Sequence, residues 1–269
     1  MRPVRDKAEL ERTYQLCQAE AEQAFGNADI YVEQLFPSAR HIEVQVVGDG
    51  QGSVSHLYER ECSIQRQRQK IIEIAPAPAL SGEIRGALRD AALKLAKAVN
   101  NRNLGTFEFL VDTSTGTRFV FIEANARLQV EHTVTEEVTG IDLVRSQLEI
   151  ARGKRLADIG LDQPSISRPR GIAIQLRVNM ETMKEDGSVR PGGGTLTAFE
   201  PPAGPGIRVD TFGYAGYQTN PRFDSLLAKV ILHARSGDLA EVASRGCRAL
   251  SEFRLAGVPT NMLRGVGPR

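Results

Sequence analysis

The sequence has little of what marks a specialised class of protein. No apolar run approaches the roughly 18 residues that a membrane helix needs, so no membrane partner is expected. Positive charge is not in excess: 34 Lys and Arg stand against 33 Asp and Glu, a formal net charge of +1, unlike a dedicated nucleic-acid binder. Cysteine is scarce. Cys17, Cys62 and Cys247 lie far apart with no CxxC pair, which excludes a disulfide scaffold and predicts a reducing, cytoplasmic setting. The basic residues near Met1 lead into no apolar core, so this stretch does not read as a signal peptide. Repeats and low-complexity tracts are missing. So is a Gly-Lys-Ser/Thr phosphate loop; Pro191-Gly192-Gly193-Gly194-Thr195 lacks that ending and reads as a turn. What is there is 41% hydrophobic and 25% charged over 269 residues, a folded composition with room for one large domain or two ordinary ones.

Residues 6–25 carry Leu10, Tyr14, Cys17 and Ala21 at helical spacing, with Asp6 as cap and Gly26-Asn27 as stop. The period then changes to two. His41, Glu43 and Gln45 fall on one side of a strand and Ile42, Val44 and Val46 on the other. Ser53 to Tyr58 reads as its return strand across a Gly-rich turn. A second helix fits 82–99, capped by Ser81, with Ile84, Leu88, Ala92, Leu95 and Val99 in one stripe. Strands at 106–111 and 118–123 join through a hairpin-like turn at 112–117. Asp142 caps a helix to about Arg152, and Asp238 with Glu241 opens another over 239–253. Residues 154–170 show little periodicity and mark a subdomain boundary, beyond which strands and Gly/Pro turns dominate. The pattern predicts an α+β fold with an antiparallel sheet and flanking helices.

Chemistry concentrates in two stretches. Glu108 sits among Phe107, Phe109 and Leu110, where a strand has little use for a carboxylate, and Glu123 ends an equally apolar strand. A register with Glu108 opposite Phe121 makes Glu123 its diagonal neighbour, roughly 7–8 Å away. Two such carboxylates suit a divalent ion that also holds phosphate oxygens, with Asn125 adding an oxygen; ordinary salt bridges on a solvated sheet face fit the same spacing. If the strand continues, Arg127, Gln129 and Glu131 share a side. They then offer a guanidinium fork for an anion, an amide and a candidate general base, or else simply a charge-laced polar strand. The second stretch, 59–70, interleaves Arg60, Arg66, Arg68 and Lys70 with glutamines and fits either an anion-facing loop or edge strand or a solvated face. Cys62 reads as a small buried residue, and His41 as structural unless a ligand comes within its reach.

In order along the chain, Arg40–Val46, Glu61–Arg66, Gln69-Lys70, Ala75–Pro78, Gly105–Phe109, Phe121–His132, Arg177–Asn179 and Tyr214–Tyr217 resemble the biotin carboxylase component of biotin-dependent carboxylases, an ATP-grasp family. The resemblance implies a partial ATP-grasp fold over 1–165 and a C-terminal α+β subdomain over 166–269. It implies a ligase that uses ATP to activate bicarbonate as carboxyphosphate and carboxylates N1 of biotin on a carrier domain. Position by position, it assigns Glu108, Glu123 and Asn125 to Mg²⁺ or Mn²⁺, and Lys70, Arg127, Gln129 and the Val130 backbone to bicarbonate. Glu131 becomes the base and Arg177 the stabiliser of an enolate-like biotin anion. His41 and Gln65 would contact the nucleotide, and Glu33 to Phe36 would form an adenine-side hinge. The implied partners are biotin carboxyl carrier and carboxyltransferase domains or subunits, and a homodimer is compatible with the family.

Two departures touch the nucleotide side: Arg68 stands where the family commonly has a His, and Gln34 where a Lys is frequent. The family's N-terminal α/β domain, phosphate-binding lysine and Gly-rich lid do not occur in the sequence. They are therefore expected on another chain or outside this sequence. Two other readings stay open, a catalytically incomplete ATP-grasp module with an interaction role and a carbamoyl-phosphate-synthase-like enzyme. The Arg127-to-Glu131 pattern and Arg177 favour biotin.

Overall fold

The computed structural model describes residues 2–114, 116–184, 188–220 and 222–262. Thr115 of the expected turn, and residues 263–269 of the expected C-terminal subdomain, lie outside the described residues. The chain forms two compact units, Met1–Ser38 and Ala39–Arg269.

In the first unit, α1 spans Lys7–Phe25. The Asp6 carboxylate accepts from the Glu9 N–H at 3.0 Å, and Gly26, at φ 68°, donates its N–H to Glu22 O at 2.9 Å. Both ends of the helix are thus satisfied locally, yet α1 buries none of its residues. Glu33 and Phe36 lie in the non-helical stretch that follows it.

The second unit contains, in chain order, strands β1 (Ala39–Asp49), β2 (Val54–Arg66), β3 (Gln69–Ala75), β4 (Arg102–Asp112), β5 (Phe119–Asn125) and β6 (Ile172–Asn179). The short strands β7 (Glu181–Met183), β8 (Val189–Pro191) and β9 (Ala198–Glu200) precede β10 (Ile207–Thr211), β11 (Leu226–Ala234) and β12 (Arg254–Ala256). The helices are α2 (Gly82–Ala98), α3 (His132–Thr139), α4 (Leu143–Ala151) and α5 (Leu239–Glu252). An eight-stranded sheet runs β10-β11-β6-β3-β2-β1-β4-β5, with every neighbouring pair antiparallel. Because β3 pairs with β6, the sheet is continuous across position 165.

Residue alternation makes the two faces of this sheet different. Ile42, Val44 and Val46 of β1 and Phe107 and Phe109 of β4 pack against Ile84, Leu88, Ala92 and Ala96 of α2. Farther along the sheet, Ile174, Val230 and Leu232 meet Val242 and Ala249 of α5. The opposite face is covered by α3, whose Val134 and Val138 pack on Ala75, Ala173 and Ile231. Around α3 that face is polar, because His41, Glu43 and Gln45 point the other way from the α2 core. Among the described residues, no helix is long and apolar enough to cross a membrane.

Three local expectations change. Residues 59–70 are not on a sheet edge: β2 runs on to Arg66 and turns through the exposed Gln67 and Arg68, at φ 49° and 68°, into β3, and both strands are interior in the strand order. The β4–β5 hairpin pairs Glu108 directly with Glu123, while Phe121 faces Phe109. A bulge leaves Ile122 as the extra residue and shifts the register by one. Finally, the strand ends at Asn125; residues 126–131 are irregular and lead into α3, so the alternation of Arg127, Gln129 and Glu131 is not that of a strand.

Leu88 is fully buried beneath the sheet, whereas Val99 of the same predicted stripe is 68% exposed past the helix end. Leu88→Ala should lower the unfolding free energy by about 2–5 kcal/mol and Val99→Ala by under about 0.5 kcal/mol, as read from urea titrations.

Candidate active site

The sheet register builds the site. Arg60 on β2 is opposite Glu43 on β1, Glu43 is opposite Glu108 on β4, and Glu108 is opposite Glu123 on β5. Partners in one ladder present their side chains to the same face, so these four charged groups form a row across four strands. Three neighbouring carboxylates would repel one another, and cations between them offset that cost. Lys70 of β3 places Nζ 2.6 Å from Glu43, 2.6 Å from Glu131 and 3.2 Å from Glu108.

Arg60 has no solvent exposure and uses every donor of its guanidinium. Nε donates to Glu43 Oε1 at 2.5 Å, and Nη1 donates to Gln45 Oε1 at 2.8 Å and Thr135 Oγ1 at 2.9 Å. Nη2 donates to Thr106 Oγ1 and Gln129 Oε1, both at 3.3 Å. One buried cation thereby ties β1, β2, β4, α3 and the 126–131 segment together.

Glu108 is the centre of the row. His41 Nε2 lies 2.5 Å from its Oε2, while Gln129 Nε2 and Asn125 Nδ2 donate to its Oε1 at 2.6 and 2.8 Å. The Gln65 amide donates to His41 Nδ1 at 2.7 Å, which leaves the ring proton on Nε2 for Glu108. Asn125 Nδ2 also donates to Glu123 Oε1 at 3.0 Å. Beyond Lys70, Glu131 Oε2 accepts from Arg177 Nη2 at 3.0 Å, and Arg177 Nε donates to Glu73 Oε1 at 2.5 Å. Lys229 Nζ donates to the Val130 carbonyl at 3.1 Å. Arg127 sits at the exposed margin, with Nη2 on Asn125 Oδ1 at 3.4 Å and Nη1 on Leu128 O at 3.3 Å.

These contacts set the charges. Burial pushes the Glu108 carboxyl up, but the His41 hydrogen bond, the Lys70 charge and the Gln129 amide outweigh it and hold it at about 2. Burial likewise opposes ionisation of Glu43, and Arg60 and Lys70 overcome it, so its pKa falls below the ordinary range. Lys70 moves the opposite way: burial would lower it, yet the surrounding carboxylates, Glu43 foremost, raise it. At Glu73 burial wins. Its carboxyl is pushed up to about 7 despite Arg177, with the Glu131 charge adding to the rise. Burial also raises the Cys62 thiol far above its ordinary value, which keeps it protonated and fits a packing role rather than a nucleophile.

His41, Gln65, Lys70, Glu108, Glu123, Asn125, Gln129, Glu131 and Arg177 therefore belong to one connected network, with Arg127 attached through Asn125. Glu33 and Phe36 are in the other unit. The donor chemistry suits a hard divalent cation: Glu108 and Glu123 converge on one Asn125 amide, and ligand atoms of His41, Glu43 and Glu108 lie within 4.8 Å of one another. Sequence reasoning missed Glu43, Arg60 and Glu73 as site residues. Glu43 was visible on the His41 side of the alternating strand; Arg60 and Glu73 gain their place only once β2 and β3 are interior strands.

The family model for the carbamoyl-phosphate synthase L chain, ATP binding domain, matches residues 1–159, and that for the biotin carboxylase C-terminal domain matches 175–264. The fold is that of the ATP-grasp class. Pyruvate carboxylase of Aspergillus niger is 47% identical over 264 residues, which is 97% of this chain and 22% of that protein. The biotin carboxylase domain of a single-chain bacterial carboxylase superposes with a TM-score of 0.83 at 49% identity, covering 97% of this chain and 56% of that one. The biotin carboxylase domain dimer of Hydrogenobacter thermophilus 2-oxoglutarate carboxylase, solved with MgADP, ADP and bicarbonate, gives 0.88 at 39% identity over 97% of this chain and 55% of that one. The chain belongs to the biotin carboxylase family. It spans about a fifth (22%) of the length of the curated relatives it matches.

Removing one partner from the Arg60 cluster leaves buried charge unpaired. Arg60→Met should cost about 3–5 kcal/mol of unfolding free energy in urea titrations. The two shifted carboxyls act on stability in opposite senses. Glu108, lowered from 4.5 to about 2, stabilises the fold fully above pH 4.5, and that contribution is lost as pH falls towards 2. Glu73, raised from 4.5 to about 7, favours the fold while protonated, and that contribution is lost as pH rises from 4.5 to 7. In urea midpoints taken across pH, Glu108→Gln should flatten the decline below pH 4.5 and Glu73→Gln the decline between 4.5 and 7.

Proposed function

We propose that this chain catalyses the ATP- and bicarbonate-dependent carboxylation of biotin held on a carrier domain. The observation that supports this best is Glu131, a buried carboxylate between Lys70 at 2.6 Å and Arg177 at 3.0 Å, beside a carboxylate row suited to a divalent ion. That is the arrangement needed to bind a small oxyanion next to a base. The names of the relatives point the same way, since pyruvate carboxylase and the 2-oxoglutarate carboxylase domain solved with MgADP and bicarbonate are both among them.

In this reading the γ-phosphoryl group of ATP passes to bicarbonate, giving ADP and carboxyphosphate; carboxyphosphate breaks down to carbon dioxide and inorganic phosphate, and the carbon dioxide bonds to N1 of biotin as the N1 proton passes to the phosphate. Mg²⁺ or Mn²⁺, held by Glu108, Glu123 and Asn125, supplies charge neutralisation at the ATP phosphates. His41 and Gln65 contact the nucleotide from the same side. Lys70, Arg127, Gln129 and the Val130 N–H bind bicarbonate. Glu131 takes the bicarbonate proton, and the flanking cations favour the extra negative charge so formed. Arg177 then faces the anionic ureido oxygen of biotin. Carrier and carboxyltransferase parts, as domains or subunits, are the proposed partners, in keeping with one solved relative being a single-chain, multi-domain acyl-CoA carboxylase. A homodimer and a cytoplasmic location belong to the same proposal, as does a division of the chain near residue 165, between the two family matches.

Phosphate release that depends on both bicarbonate and biotin is the expected activity. Glu131→Gln should lower its kcat by about 10²–10⁴-fold while Mg-ATP binding, read by calorimetry, stays within about threefold. Absence of nucleotide binding and turnover in the unsubstituted chain, or full activity in Glu131→Gln, overturns the reading.

A further inference from the structure

Glu73 has no part in the roles above, yet it is a carboxyl group with no solvent exposure in contact with the site. Its two oxygens have separate partners. Oε1 accepts from Arg177 Nε at 2.5 Å, and Oε2 accepts from Gln175 Nε2 at 2.9 Å. Gln175 precedes Arg177 by two residues on β6 and so shares its face of the sheet. Its Oε1 accepts from Thr133 Oγ1 at 2.5 Å, and Thr133 stands in the first turn of α3, two residues after Glu131. Glu73, Gln175 and Thr133 are all fully buried.

A closed loop results. Arg177 and Glu131 touch directly at 3.0 Å, and they are also joined the long way round, through Glu73, Gln175 and Thr133. The direct contact is the one a ligand must part, because an anion facing Arg177 competes with Glu131 for Nη2. The buried route does not depend on that contact. It grips Arg177 along one edge of the guanidinium, with Nε and Nη2 each 2.5 Å from Glu73 Oε1, and grips the helix that follows Glu131 by its first turn.

We propose that Glu73 is a positioning residue for Arg177: it holds the Nε–Nη2 edge of the guanidinium so that the group stays aimed at an anionic ligand when Glu131 lets go. The role rests on the biotin reading for the identity of that ligand, and on geometry alone for the anchor. The charged and titratable groups that face Glu73 are Arg177 on β6, Glu131 ahead of α3 and Cys62 on β2. The Cys62 thiol is protonated, and Arg177 stays charged throughout. Protonation of Glu73, at about 7, therefore weakens the grip on Nε in the neutral range.

The anchor is read without turnover from the ¹⁵N–¹H signal of Arg177 Nε, assigned by its loss in Arg177→Lys. In the unsubstituted chain this proton should exchange slowly and its signal should move with pH through about 7. In Glu73→Gln it should exchange at least about tenfold faster and lose that titration. Thr133→Val, which cuts the loop at α3 without changing any charge, should keep the Nε signal and its titration, and it serves if Glu73→Gln does not fold. In kinetics, Glu73→Gln should reduce kcat/KM for biotin about tenfold more than it reduces bicarbonate-dependent ATP cleavage. An Nε signal indifferent to Glu73→Gln, or without a titration in the unsubstituted chain and in Thr133→Val, overturns the positioning role whatever the activity. Equal losses in both kinetic readouts also overturn it, since a merely structural defect would lower both together. A chain with a Glu73-dependent Nε signal and no turnover supports the anchor and counts against the biotin reading alone.

Discussion

Like charges on adjacent strands of one sheet face repel, and β1, β4 and β5 put Glu43, Glu108 and Glu123 side by side. At the roughly 5 Å spacing of such pairs, an effective dielectric constant of about 20 makes each unrelieved contact cost about 3 kcal/mol. Arg60, with all its donors used, and Lys70, shared among three carboxylates, neutralise much of the row. Much of the second unit follows from keeping those two cations in place. β2 and β3 must be interior strands to present them, α3 must lie over the polar face to bring Thr135 to Arg60, and the segment before α3 must fold back to supply Gln129 and Glu131. A row compensated in this way remains rich in oxygen ligands, the chemistry a hard divalent ion requires.

The same burial gives two carboxyls opposite electrostatic characters. Glu108 has three hydrogen-bonding partners and a nearby ammonium, so it stays ionised to low pH. Glu73 has one cation, one amide and a neighbouring negative charge, so desolvation prevails and it titrates near neutrality. The number of donors aimed at each group decides the difference, since both are almost completely removed from water. Glu131 lies between these extremes in position, linked to Lys70 on the Glu108 side and Arg177 on the Glu73 side. A proton acceptor placed there is oriented from both directions.

Much of the local structure was legible from residue order. Asp6, Ser81, Asp142 and Asp238 cap the helices they were expected to cap, because an N-cap needs only a short oxygen-bearing side chain within three residues of free N–H groups. The alternation through 41–47 correctly separated the α2 face from the polar face. Other features were not legible. The bulge at Ile122, which turns a diagonal carboxylate pair into a direct one, has no signature in a stretch as uniformly apolar as Phe119 to Ile122. α3 was hidden because Arg127, Gln129 and Glu131 imitate the period of a strand while belonging to an irregular approach to a helix.

By itself, the sequence determined where most helices begin and which family the motifs belong to, both matters of residue type and short spacing. Glu108, Glu123, Glu131, Lys70 and Arg177 could be named from those motifs. Which of them share a hydrogen bond, which are buried and which carboxyl titrates near neutrality were decided by the tertiary structure. The reason is that register, strand order and desolvation depend on residues distant in the chain: Arg60 meets Gln129 across 69 positions and Glu73 meets Arg177 across 104. No local pattern encodes those distances; they arise when one sheet gathers strands from both sides of position 165 and α3 closes over its polar face.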